Sequence, residues 1–147
     1  MLKDDFRLLL GWDEGDEWNR YVDSLARKRR GLDLDDDQVR SALLAADVDG
    51  VLIGRASIRF ELNEWLAREA GHIGYCVLAP FRRRGYAVEI LRQALVIAHS
   101  EGVDPALLVC DNDNLGSAAV IERCGGVLES VVTRGDEGTL IRRYWIH

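Results

Sequence analysis

Several features are missing from this 147-residue chain, and each absence excludes a class of protein. No run approaches the roughly 18–20 consecutive apolar residues of a membrane span. The opening "MLKDDFRLLL" has one patch of three leucines, no h-region and no small-residue cleavage site, so no secretory signal is read there. A cytoplasmic protein without a membrane partner is the expectation. Cysteine is scarce: Cys76, Cys110 and Cys124, with no C-x-x-C, and His72, His99 and His147 form no close pair. That excludes a recognisable zinc site, and an odd cysteine count without a signal reads as reduced thiols in apolar settings. Basic excess is also missing. The net charge of −6 argues against a nucleic-acid partner, whose readers carry a basic face. Repeats, low-complexity segments and linkers are absent, so residues 1–147 read as one domain.

What is present is an orderly series of elements. "DDFRLLLGW" reads as a first strand. A helix follows in "DEGDEWNRYVDSLARKRRG", where Trp18, Tyr21, Val22 and Leu25 share one face. Asp13 and Asp16 suit its start and Gly31 its end, while the "RKRR" run suits the negative end of the helix dipole. "GLDLDDDQVR" reads as a short helical turn. "SALLAAD" and "VLIGRASIRFEL" are two strands joined at "DVDG", whose Asp-Gly favours a hairpin. "NEWLAREAG" connects them to "HIGYCVLA", a strand stopped by Pro80. The helix after it is the clearest in the chain, with Ala87, Ile90, Leu91, Ala94, Leu95 and Ala98 on one face. "PALLVC" looks like a buried, parallel-type strand. "NLGSAAVIERCGG" is a short helix, and "VLESVVT" and "TLIRRYWI" are two final strands. Hairpin-linked strands followed by helix-linked ones predict an α/β chain, an α+β mixed sheet with helices on both faces.

"RRRGYA", Arg82 to Ala87, lies between a strand and that clear helix. The first amides of a helix lack internal partners and carry partial positive charge, so such a junction holds anions, phosphate above all. Gly85 lets the backbone come close. The stretch is neither a Walker A loop nor a Rossmann fingerprint.

Arg82, Gly85 and Ala87 match [Q/R]-x-x-G-x-[G/A], the main motif of the GNAT superfamily of acyl-CoA-dependent N-acetyltransferases. Asn114, Ser117, Glu122, Arg123 and Gly125 fall where that family often has Asn, a small residue three later, an aromatic-Glu-Lys stretch and a glycine, and the element order agrees over nearly the whole chain. "GHIGYCVLAPFRRRGYA" with "CDNDN" also resembles a bacterial subgroup of it. The resemblance implies a central, mostly antiparallel sheet whose fourth and fifth strands splay apart around acetyl-CoA. It implies that the backbone from Arg82 through Arg83, Arg84, Gly85 and Tyr86 to Ala87 cradles the pyrophosphate. It implies that Cys76, Val77, Leu78 and Ala79 pair with the pantetheine arm, and that Asn114 and Ser117 lie beside it. Arg83 and Arg84 read equally as a solvated rim, and Asn114 equally as a helix N-cap.

The chemistry this implies is acetyl transfer to a primary amine of an unidentified small-molecule or peptide acceptor, by direct attack in a ternary complex. An amide of Val77 or Leu78 is the expected donor to the carbonyl oxygen. His72, on the strand where relatives place a glutamate, is the expected base, with a structural histidine as the equal reading; Glu61 is the alternative base. The family's tyrosine acid is replaced by Ile121. Ser117, Tyr75, Tyr144 or water stand as substitutes, and a non-catalytic CoA-binding module of the same fold is the competing function. The acceptor pocket is expected from residues 13–40, the 61–72 segment and the C-terminal hairpin, with Trp18, Trp65 and Trp145 as its aromatics. A homodimer fits the family, although no residue argues for it. "DNDNLGSAAVIE" approaches a calcium loop, but its fifth position is Leu115, so no metal is expected.

Overall fold

A computed structural model describes residues 9–136 and 138–147 of the chain. The elements run α1 (Trp18–Arg29), β1 (Ser41–Val48), β2 (Val51–Arg59), α2 (Glu64–Glu69), β3 (Ile73–Val77), a 3-10 turn (Ala79–Phe81), α3 (Tyr86–Ser100), β4 (Ala106–Asp111), α4 (Leu115–Arg123), β5 (Val127–Arg134) and β6 (Thr139–Ile146). Most of the strand expected in "DDFRLLLGW" lies outside the described residues, and residues 9–11 form a bend and turn. The helix start differs from the expectation. Asp16 accepts a hydrogen bond from Asp13 N–H at 2.8 Å in a turn ahead of the helix, and α1 begins only at Trp18. Of its predicted apolar face only Tyr21 is buried. Residues 31–40 form turns rather than a helix.

The strands form two antiparallel three-stranded sheets, ordered β1-β2-β3 and β4-β6-β5. The β1–β2 hairpin closes through Asp49 and Gly50, at φ 51° and 80°, the left-handed pair that a tight hairpin turn requires. The apolar run of β4 was expected in a parallel setting; its ladder partner is β6, antiparallel, from Ala106↔Ile146 to Asp111↔Ile141. Apolar burial on both sides explains the run, since Ala106, Leu107 and Leu108 are each at most 1% exposed.

The sheets meet at one end only. His72 N–H donates to Leu107 O at 2.7 Å, and Gly71 bridges to Leu108. A side chain at Gly71 would put its Cβ 2.4 Å from Leu107 O, so glycine is what lets the two backbones touch there. Beyond this junction β3 and β4 share no ladder, which is the expected splay. Ala56, Ile58, Ile73 and Val77 join the α3 residues Leu91, Ala94 and Ala98 in the core below the sheet. Strand alternation places Arg55, Ser57 and Arg59 on the opposite face. There Tyr21 and Leu25 of α1 line a small apolar cleft with Leu43 and Arg55.

Candidate functional site

The splay opens a cleft of about 760 Å³ between the end of β3 and the starts of α3 and α4. Cys76, Val77, Arg82, Arg83, Gly85, Tyr86, Ala87, Asn114 and Ser117 all line it. Leu78, Ala79 and Arg84 were expected beside them and do not line it. Leu78 turns its N–H to Ile53 O at 2.8 Å, and Ala79 starts the 3-10 turn. Because successive strand amides point to opposite edges, the Val77 N–H is left on the cleft side. Residues not singled out from sequence also line the cleft, among them Phe81, Val88, Val120 and Arg123.

The start of α3 differs from the other helices near it. Asn63 and Asn114 cap α2 and α4, their side chains accepting from Leu66 N–H and Ser117 N–H at 2.9 and 3.1 Å. The α3 cap is Gly85, at φ 84°, with no side-chain acceptor for the first amides. These amides therefore point into the cleft unclaimed from within the helix. Glu89, the acid of the first turn, is drawn aside by Arg92 and Gln93 at 3.0 and 2.8 Å. Arg82 donates from Nε to Val77 O at 2.9 Å, tying the loop to the strand end. The loop thus offers backbone donors backed by guanidinium charge, which suits a diphosphate.

At the other end, Tyr75 Oη lies 2.8 Å from Ser117 Oγ and donates to Ser117 O at 3.3 Å, which joins β3 to α4 across the cleft. Burial pushes the Tyr75 phenol up to about 12, although Ser117 pulls the other way. It is therefore a protonated donor at neutral pH. Ile121, at the family's tyrosine position, is 1% exposed and packed in the core. Tyr144 is also remote: its hydroxyl donates to Glu122 at 2.9 Å.

The two expected bases fall elsewhere. Glu61 is exposed in the bend after β2. The His72 Nδ1 accepts Leu107 N–H at 2.9 Å inside the sheet junction. The neutral ring then carries its proton on Nε2 and has no lone pair to take one from an amine. Neither residue lines the cleft, and no carboxylate or imidazole does so among the described residues.

Burial, with the nearby Arg59 cation, holds the His72 pKa below its usual 6.5. A lowered folded pKa means that the unfolded chain binds the proton first. The His72 contribution is whole above about pH 6.5 and is lost as pH falls towards the folded value. The melting temperature should therefore drop between about pH 7 and pH 5. His72→Asn, whose oxygen can still accept Leu107 N–H, should flatten that slope. An unchanged slope would assign the loss to another group.

The acetyltransferase (GNAT) domain family matches residues 3–127 of the chain. No curated protein matches it by sequence. Solved structures of the same fold include an acetyltransferase from Agrobacterium tumefaciens str. C58, 24% identical, TM-score 0.60, covering 90% of this chain and 72% of that one. A ribosomal-protein-alanine N-acetyltransferase from Brucella melitensis is 18% identical, TM-score 0.63, over 86% and 75%. The Microcin C7 self-immunity acetyltransferase, solved with acetyl-CoA and AMP, is 20% identical, TM-score 0.63, over 86% and 67%.

Proposed function

The chain belongs to the GNAT acetyltransferase family, and from that premise we propose that it moves the acetyl group of acetyl-CoA to a primary amine by direct attack. The observation that carries this reading is one cleft with an uncapped helix start at one end and the Tyr75–Ser117 pair at the other. Acetyl-CoA supplies the activated acyl group as a thioester. The amides of Gly85, Tyr86 and Ala87 hold its diphosphate, with Arg82 and Arg83 as flanking charge. The β3 edge beside Val77, whose backbone faces away from β2, meets the pantetheine arm as an added strand would. Asn114 caps α4 with its oxygen, which leaves its amide N–H groups to donate into the cleft.

Val77 N–H is the donor to the carbonyl oxygen. Tyr75, held by the Ser117 hydroxyl, turns its one proton from Ser117 O to the departing sulfur. In this reading His72 fastens the sheet junction that sets the splay, and is not the base. The amine loses its proton to water, since the described cleft walls hold no group to take it. The rate with a given amine should accordingly follow that amine's own ionisation.

Titration of CoA into the protein, with thiol release measured over an amine panel, tests the reading. Binding with amine-dependent release is the expected result. Binding without release on any amine would favour a CoA-binding module, the function to which Ile121 at the usual acid position points. No binding would sink both.

A further inference from the structure

On the face of β2 opposite the core, Arg59 meets no carboxylate among the described residues. Arg59 donates from Nε to Gly71 O at 2.8 Å, from Nη1 to Ser57 Oγ at 3.0 Å and from Nη2 to Ala70 O at 3.2 Å. All three acceptors are neutral. A guanidinium has five N–H donors, so two remain. Burial, with repulsion from Arg55, pushes this group down to about 10, the signature of a cation lacking a counter-charge. A half-buried guanidinium with spare donors, bonded to no carboxylate among the described residues, is well suited to receive one, because Arg presents a planar fork to that shape.

Arg59 is also reachable. It lines a cleft of about 270 Å³ between the end of α1, residues 37–41 and α2, with Lys28, Asp37, Gln38 and Trp65. The charges of Lys28 and Asp37 offset one another there, which leaves Arg59 as the net charge. On its other side is Gly74 of β3, paired across the ladder with Ser57. A Cβ built on Gly74 would stand 3.9 Å from Ser57 Oγ and 4.0 Å from Arg59 Nη2. Glycine thus leaves a gap on the strand face directly over the guanidinium. Two residues further along the same face is Cys76, a wall of the larger cleft. Two strand residues span about 6.7 Å. A molecule anchored at Arg59 and lying over Gly74 would reach the larger cleft within a few bonds.

We propose that Arg59 is the acceptor's anchor and that the amine substrate carries a carboxylate, separated from the amine by a short chain. This rests on the acetyl-transfer reading above and narrows its substrate class to amino acids and short peptides bearing an amine some distance from a carboxylate. Gly74 provides the passage, and Trp65 provides an apolar wall for the chain.

The test compares amines that differ only in the carboxylate: lysine with cadaverine, ornithine with putrescine, each with acetyl-CoA. The carboxylated member of a pair should have a kcat/KM at least tenfold higher. Arg59→Gln should remove that preference by lowering the carboxylated rates to those of the diamines. Because Arg59 also fastens Ala70 and Gly71, Gly74→Ala serves as the second variant. Its methyl makes ordinary contacts only, so the fold and CoA affinity should persist while the carboxylate preference shrinks. Diamines turned over as well as their amino acids would overturn the proposal. So would CoA binding with no turnover of either amino acid, or an equal loss on both members of a pair in both variants. Absence of CoA binding would instead overturn the acetyl-transfer reading beneath it.

Discussion

Gly85→Val is expected to weaken CoA binding about 100-fold, with the melting temperature down by no more than about 8 °C. Gly85 sits at φ 84°, in the left-handed region, and a Cβ there would meet no atom within 4 Å. The strain of a side chain at that φ is about 1–2 kcal/mol, which for a domain of this size is a shift of about 2–8 °C. The effect on binding is larger because valine has two ways to fail, and both harm the cradle. It either keeps the backbone and stands in the cleft that Gly85 lines, or relaxes to negative φ and swings the first α3 amides off the diphosphate. Bonds to a charged group contribute about 1.5–3 kcal/mol each, so losing one or two gives about 100-fold. Gly85→Ala should lie between, and calorimetric titration of CoA reads all three. Wild-type affinity in the valine variant would mean that the anion binds elsewhere.

The uncapped helix start after Arg82–Gly85 was legible in the sequence for a physical reason. It depends on backbone amides, a glycine and a short strand-to-helix loop, all of which are local and fixed by neighbouring residues. Asn114 was legible for the same reason, as a cap three residues before the amide it accepts. The catalytic side was less so, because its contacts are long-range. The bond between Tyr75 and Ser117 joins residues 42 apart. Sequence could place Tyr75 on a strand and Ser117 on a helix, but not the splay that brings them together.

His72 shows the reverse problem. Its position on the strand pointed to a base, while its actual partner is Leu107, 35 residues away on the other sheet. Arg59 was passed over altogether, although a signal for it was there. In "RASIR" a charged residue, a serine and a charged residue alternate on one face, while Ala56 and Ile58 alternate on the other. A strand that alternates in this way next to a core has a polar face that something must satisfy.

Tyr75→Phe is expected to lower kcat about 100-fold and to leave the KM for acetyl-CoA within about threefold. The size follows from removing one positioned donor to charge that develops during the reaction, which costs about 10²–10³ in rate. The split follows from timing, since sulfur carries that charge only as it departs. Tyr75 at about 12 is a much weaker acid than an ordinary thiol near 8.5, so full proton transfer to sulfur would be uphill by about 3.5 units. In the proposed reaction the phenol would therefore act by donating a hydrogen bond while keeping its proton. Two consequences separate this role from a structural one. The Tyr75→Phe defect should shrink with an acetyl donor whose thiol is more acidic, because that sulfur needs less help. Ser117→Ala should cost less than Tyr75→Phe, because it removes one of the two groups that orient the phenol and leaves the phenol itself. A Tyr75→Phe enzyme whose loss lay wholly in KM, or was the same for every leaving thiol, would place the phenol in packing rather than in the departure of the thiolate.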